Sequence, residues 1–190
     1  MNSKRCGWVT SDTSYIAYHD TEWGIPQRQN QVLFGMLCLE AQQSGLSWIT
    51  VLKKRAHYQQ RFYYFDPQAI ALMGSEQVEM LMQDSGIIRH RGKIQAIITN
   101  ARAYLAMVAR GEDFSGFIWS FVNGQQQVNR WWCQDEIPAT TPVSDAMSHA
   151  LKRRGFKFIG PTVCYAFMQA SGLVNDHLVS CFCHPDNVVG

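Results

Sequence analysis

Near the end of the chain, VNDHLVSCFCHPD (174–186) places His177, Cys181, Cys183 and His184 within eight residues. Imidazole nitrogens and thiolates are the donors of zinc and related metal sites. His177 and Cys181 stand four apart, a spacing that sets both side chains on one face of a helical turn. Two ligands do not close a coordination shell, and no second Cys/His cluster lies nearby in sequence. The tail reads as a metal half-site needing distant partners, as a self-contained site, or as a set of reactive thiols. Spacing alone leaves these open.

A second group carries different chemistry. Glu40 interrupts the apolar face of QVLFGMLCLEAQQ (31–43), beside Leu37 and Leu39. Burying a carboxylate without a partner is expensive, so such a residue asks for a ligand or a donor. Tyr15, Tyr18, Trp23 and Trp48 supply flat surfaces that fit either a core or a planar ligand. Leu46 sits in the turn SGLSW, where it is either a packing residue or an exposed apolar tip.

A third group is a helical hairpin, SHALKRRGFKFIGPTVCYAFMQASGLV (148–174). Gly155 can stop its first helix, and Pro161 suits the first turn of its second. The link Phe158-Ile159-Gly160 is very short. Backbone N–H groups at such a helix N-terminus can receive a phosphate, and Lys152, Arg153, Arg154 and Lys157 border the turn. An ordinary helix–helix turn would look the same.

These residues need helices to position them. QVLFGMLCLEAQQ, ITVLKKR, EQVEMLMQ, KIQAIITNARAYLAMVAR, SDAMSHALKRRG and PTVCYAFMQASG have apolar residues three and four apart. Asp66 is a candidate N-cap, and Gly111 ends the longest helix. Period-two strands are few, and no repeat or low-complexity linker interrupts the pattern. The stretch 122–144 is the longest irregular one and reads as a surface connection. The fold class expected is all-α.

The 190 residues suit one domain, and 46% hydrophobic content excludes disorder. No apolar run reaches a membrane span, and basic residues near the N-terminus have no apolar stretch behind them. The cytoplasm is therefore expected, where six cysteines read as core residues, metal ligands or reactive thiols rather than disulfides. Cys38 and Cys164 fit apolar helix faces, and Cys133 has no assigned role. A net charge of +2 does not by itself announce a nucleic acid. Yet Lys53 to Arg55, Arg89 to Lys93 and Lys152 to Lys157 form three basic clusters at helix ends or turns.

The hairpin resembles that of the helix-hairpin-helix DNA glycosylases, as does SGIIRHRGKIQAIITNARAYL (85–105). More specifically, the chain resembles the 3-methyladenine DNA glycosylase I family. The matching blocks are RCGWV (5–9), YIAYHDTEWG (15–24), LEAQQSGLSWITVLKKR (39–55), GIIRHRGKIQAII (86–98), KRRGFKFIGPT (152–162) and GLVNDH (172–177). They run in order along essentially the whole chain.

The resemblance implies one glycosylase domain over residues 1–190, with 1–24 and 174–190 as a zinc-fastened terminal region. It implies hydrolysis of the N-glycosidic bond of 3-methyladenine in alkylated double-stranded DNA, with the free base as product. Tyr18 and Glu40 would hydrogen-bond the flipped base, Trp48 would stack on it, and Tyr15 and Trp23 would complete the wall. Leu46 would fill the gap left in the duplex; Lys152, Arg153, Phe158, Ile159 and Gly160 would meet DNA. Cys6, His19, His177 and Cys181 would hold one structural zinc, with Cys183 and His184 as possible substitutes.

Many helix-hairpin-helix glycosylases place a catalytic Asp where this chain has Asn175, with Asp176 one residue later. Pro161 and Thr162 stand where a nucleophilic Lys would be. A monofunctional monomer without a Schiff base is expected, and Glu40 is its candidate catalytic group. Two other readings compete: a hydrolase whose zinc activates water, which needs an open metal position, and a non-enzymatic DNA-binding helical module.

Overall fold

The computed structural model describes residues 4–187, so the outermost residues of both expected terminal segments lie outside it. The helices are α1 (Thr13–Thr21), α2 (Asn30–Gln43), α3 (Trp48–Arg61), α4 (Pro67–Ala71), α5 (Ser75–Met82), α6 (Arg91–Ala109), α7 (Phe114–Ser120), α8 (Pro142–Arg153) and α9 (Pro161–Ala170). Two short strands, β1 (Gln127–Val128) and β2 (Val174–Asn175), pair in parallel. No described helix is long and apolar enough to cross a membrane.

Local sequence explains where these helices begin. Asp12 accepts from the Ser14 N–H at 3.0 Å to open α1, and Asp66 accepts from that of Gln68 at 2.9 Å to open α4. Thr141 and Ser144 close a reciprocal box at the start of α8, at 3.1 and 2.9 Å. Gly155 stops that helix in the left-handed region at φ +94°, where a side chain would be strained.

α2 is the central element. Leu33, Phe34, Leu37, Cys38 and Ala41 are buried, and the helix packs against α3, α6, α7 and α9. A helix apolar nearly all round belongs inside a globule. Gly35 lets the Phe65 ring lie against it; an added Cβ would come within 2.9 Å of that ring. Thus Glu40, one turn from the end of α2, is carried into the interior by its own helix.

The stretch 122–144 is more than a surface connection. Its strand β1 pairs with β2, and the Gln126 side-chain amide donates to the Gly24 and Gly172 carbonyls at 2.7 and 2.8 Å. The Val179 N–H donates to the Trp131 carbonyl at 2.9 Å. These bonds draw the C-terminal segment against the N-terminal one. Gly172 is required at the crossing: its φ is +72°, and a Cβ there would sit 2.3 Å from the backbone of Ile25.

Candidate functional site

The folded chain brings Cys6, His19, His177 and Cys181 together, all four buried. Their ligand atoms lie within 4.8 Å of one another. His177 Nδ1 is 3.6 Å from both Cys6 Sγ and Cys181 Sγ, and His19 Nε2 is 3.4 Å from Cys181 Sγ. Each imidazole turns its other nitrogen outward to a fixed partner. His19 Nδ1 bonds Asp20 at 2.7 Å, and Asp20 in turn accepts from Arg5. His177 Nε2 donates to the Trp23 carbonyl at 3.0 Å. Such outer partners select one tautomer and aim the inner nitrogen at a metal. The cluster can hold a metal ion.

The two thiols share a hydrogen bond in this arrangement. Hydrogen bonds from Cys6 foremost, then from His177 and His19, pull Cys181 far below an ordinary thiol. Cys6 is pushed up by its bond to Cys181 and by burial. Of the two possible substitute ligands, His184 is occupied elsewhere. Its Nε2 bonds the Asn129 carbonyl at 3.1 Å, and its Nδ1 accepts from the Asp186 N–H at 3.2 Å. Cys183 is half-buried and lies in a smaller group with His19 and Asp20.

The expected aromatic pocket is built directly beside this cluster. A cavity of about 160 Å³ is lined by Tyr15, Tyr18, Trp23, Glu40 and Trp48, together with Trp8, Gln43, Gln134, Ala166 and Gln169. α1 supplies two aromatic walls, α2 the carboxyl, and the first residue of α3 the indole. Tyr18 and Trp48 have ring centroids 5.4 Å apart; Trp8 lies 5.0 Å from Tyr15 and 5.1 Å from Trp23. Behind the same wall a wider groove of about 650 Å³ also touches Tyr18, Glu40 and Trp48. The smaller cavity is the better match to a planar ligand, because aromatic rings surround it.

Glu40 is 3% exposed, and burial pushes its carboxyl up to about 8. It has no hydrogen-bond partner among the described side chains and no ion pair. Burial, with the Glu40 carboxyl second, also raises Tyr15 and Tyr18, so both phenols keep their protons as donors. The Trp48 indole N–H is the one fully enclosed side-chain N or O among the described residues without a partner. An acceptor, a row of donors and flat apolar walls therefore converge on one small space.

The remaining expected residues lie on the α2–α3 turn and in the α8–α9 hairpin. Leu46 is 40% exposed at the tip of the α2–α3 turn, whose carbonyls at Gln42 and Ser44 accept from Lys93 Nζ at 2.8 and 2.7 Å. In the α8–α9 hairpin, Lys152, Arg153 and Phe158 are exposed, whereas the Ile159 side chain is buried. Ser148 donates to the Ile159 carbonyl at 2.7 Å, so Ile159 anchors the turn. The space around Gly160 is open, with no atom within 4 Å of an added Cβ. Of the basic clusters, the first is largely committed: Lys53 pairs with Asp12, Lys54 with the Ser85 carbonyl and Arg55 with Glu22.

Sequence reasoning missed Trp8, Gln43, Gln134, Ala166 and Gln169 as lining residues. Trp8 had a signal, since it stands two residues after Cys6 and within RCGWV. The glutamines had none.

The profile of the methyladenine glycosylase family matches residues 8–184. The chain belongs to this family. Its sequence is 62% identical over 184 residues to DNA-3-methyladenine glycosylase 1 of Escherichia coli K12, covering 97% of this chain and 98% of that protein. It is 56% identical over 179 residues to the DNA-3-methyladenine glycosylase of Haemophilus influenzae Rd, covering 94% and 97%. A crystal structure of 3-methyladenine DNA glycosylase I superposes with a TM-score of 0.95 at 62% identity, covering 96% of this chain and all of that one. The Staphylococcus aureus enzyme, solved for the structural basis of 3-methyladenine recognition, gives 0.91 at 38% identity, covering 95% and 96%. The methyladenine glycosylase match takes in the whole pocket and three cluster residues; Cys6 lies just ahead of it.

Proposed function

We propose that this chain is a DNA-3-methyladenine glycosylase that hydrolyses the N-glycosidic bond of 3-methyladenine in alkylated double-stranded DNA. The observation that carries the reading is the buried Glu40 carboxyl, without a protein partner, in a cavity walled by Tyr15, Tyr18, Trp23 and Trp48. Methylation at N3 makes adenine cationic while it remains in DNA. Electron-rich ring faces and a carboxylate favour such a base over neutral adenine. Stacking contributes roughly 1–3 kcal/mol for any base, so selection falls to Glu40 and the shape of the pocket.

The base must leave the duplex to reach this cavity, at a cost of roughly a few kcal/mol. Leu46, exposed on a braced turn, is the residue we assign to the vacated stack. The open backbone at Gly160, with Phe158, Lys152 and Arg153 around it, fits a phosphate contact of helix-hairpin-helix type. Ile159 supports that contact from inside rather than touching DNA with its side chain.

A cationic base is already a good leaving group, so modest assistance suffices. The chain has no Lys where a Schiff base would form, since Pro161 and Thr162 stand there, and Asn175 replaces a catalytic Asp. Asp176 is committed, accepting from Asn129, Trp131, Tyr165 and Gln169 at 2.6 to 2.8 Å. We infer a monofunctional hydrolase in which Glu40 recognises the base and is the one candidate to assist water.

The metal is read as one structural zinc on Cys6, His19, His177 and Cys181. Zinc–sulfur and zinc–nitrogen bonds of normal length in a tetrahedron imply S···N separations of about 3.6 Å. The observed 3.4 to 3.6 Å agree with that. Four protein ligands leave no position for water, so zinc would fasten the ends of a single glycosylase domain rather than act on the bond. The enzyme is read as a cytoplasmic monomer.

Duplex DNA treated with a methylating agent tests the function. Free 3-methyladenine should be released and abasic sites left unnicked. Borohydride should trap no covalent adduct; a trapped adduct would overturn the monofunctional reading.

A further inference from the structure

Gln169 is half-buried on α9 and borders the pocket, and it has no assigned part in base recognition by Glu40 and the aromatic walls. Its side-chain Nε2 donates to Asp176 Oδ2 at 2.8 Å. That carboxylate is fully buried and set by three further donors. The Tyr165 hydroxyl shares Oδ2 at 2.7 Å, while Asn129 Nδ2 and Trp131 Nε1 hold Oδ1 at 2.6 and 2.8 Å. An indole N–H only donates, so Oδ1 accepts from Trp131, while Oδ2 takes the Tyr165 hydroxyl and the Gln169 amide nitrogen. The Gln169 amide then has one favourable orientation, with its nitrogen towards Asp176. Its oxygen accepts no hydrogen bond from any described residue. A planar carboxamide held by its nitrogen thus offers the pocket edge a single neutral acceptor.

The chemistry of the substrate says what such an acceptor would meet. On 3-methyladenine, in DNA or free, the exocyclic amino group is the only N–H donor. We propose that Gln169 is a specificity-determining residue whose side-chain oxygen accepts from this amino group, and that Asp176 is the positioning residue that holds it. The proposal rests on the glycosylase reading of the pocket. It gives a physical reason for the buried Asp176 network, which orients one pocket residue as well as joining α9 to the segment 129–131.

The test compares two ligands on the intact, metal-containing protein: free 3-methyladenine and 3-methylpurine, which lacks the amino group. Gln169→Met removes the acceptor at similar volume, and Gln169→Ala removes it without adding bulk. Both should weaken 3-methyladenine binding by about 3- to 10-fold, the range of one hydrogen bond, and leave 3-methylpurine within about twofold. Asp176→Asn no longer dictates which end of the amide faces it. It should give a smaller loss of the same ligand-selective kind at unchanged metal content. Equal losses on both ligands, or no loss on either, would overturn the assignment of the residue concerned. Failure of the parent reading is seen separately, as wild-type protein that releases no 3-methyladenine from methylated duplex.

Discussion

Glu40 is the side chain on which the proposed chemistry rests. Burial raises its carboxyl to about 8, so the folded state prefers it protonated. A carboxyl whose folded value lies above its unfolded one, near 4.5, contributes its stability fully below that lower value. The contribution is lost as pH rises through about 8. Glu40→Gln should therefore match wild type in melting temperature near pH 4 and exceed it by several degrees at pH 9. A constant difference across that range would contradict the buried, unpartnered placement. A cationic base in the pocket would supply the charge that the ionised form lacks. Glu40 was legible in the sequence because a carboxylate among Leu37, Leu39 and aromatics is costly without a partner. Gln169 was not, because a glutamine near the end of an apolar helix looks the same whether its amide is fixed or free.

At the scale of elements, the α2–α3 turn is the part most dependent on a distant residue. α2 ends with carbonyls that need donors. Lys93, buried on α6, reaches across to two of them, at 2.8 and 2.7 Å. Burial lowers its ammonium below the ordinary lysine value, and those two carbonyls are its compensation. Lys93→Met should destabilise the fold by about 2–3 kcal/mol in urea titrations. It should also reduce base release from DNA more than binding of free 3-methyladenine, because the turn it braces carries Leu46. Equal effects on both would mean that the turn has no role in opening the duplex. The helices themselves were plain in the sequence, since apolar periodicity and caps at Asp66, Gly111 and Gly155 mark them. Two features escaped. The left-handed turn Tyr63–Phe65, with φ from +50° to +59°, has no glycine to announce it. The stretch 122–144 lacks periodicity because it serves as a brace whose contacts are distant in sequence.

Across the whole molecule, the Cys/His cluster and the aromatic pocket are one construction. α1 carries Tyr15 and Tyr18 into the pocket and His19 into the cluster; Cys6 and Trp8 divide the same roles. A metal on that cluster would therefore also set three aromatic walls. No sequence spacing could join Cys6 to His177, 171 residues away, so that pairing came from family resemblance and geometry bears it out. Purified protein should contain about one equivalent of zinc. Cys181→Ser should lower metal content below half and the melting temperature by about 5–10 °C, while base release measured well below that temperature persists in part. Complete loss of release with the fold intact would instead make the metal catalytic. The central claim is that a buried carboxyl in an aromatic pocket recognises a cationic purine flipped from DNA. Release of 3-methyladenine from methylated duplex by wild type and by Glu40→Gln tests it most directly. Wild type should release the base rapidly, and a folded Glu40→Gln variant should lose most of that activity, at least 10-fold; release by the variant at the wild-type rate would rule out the role given to Glu40.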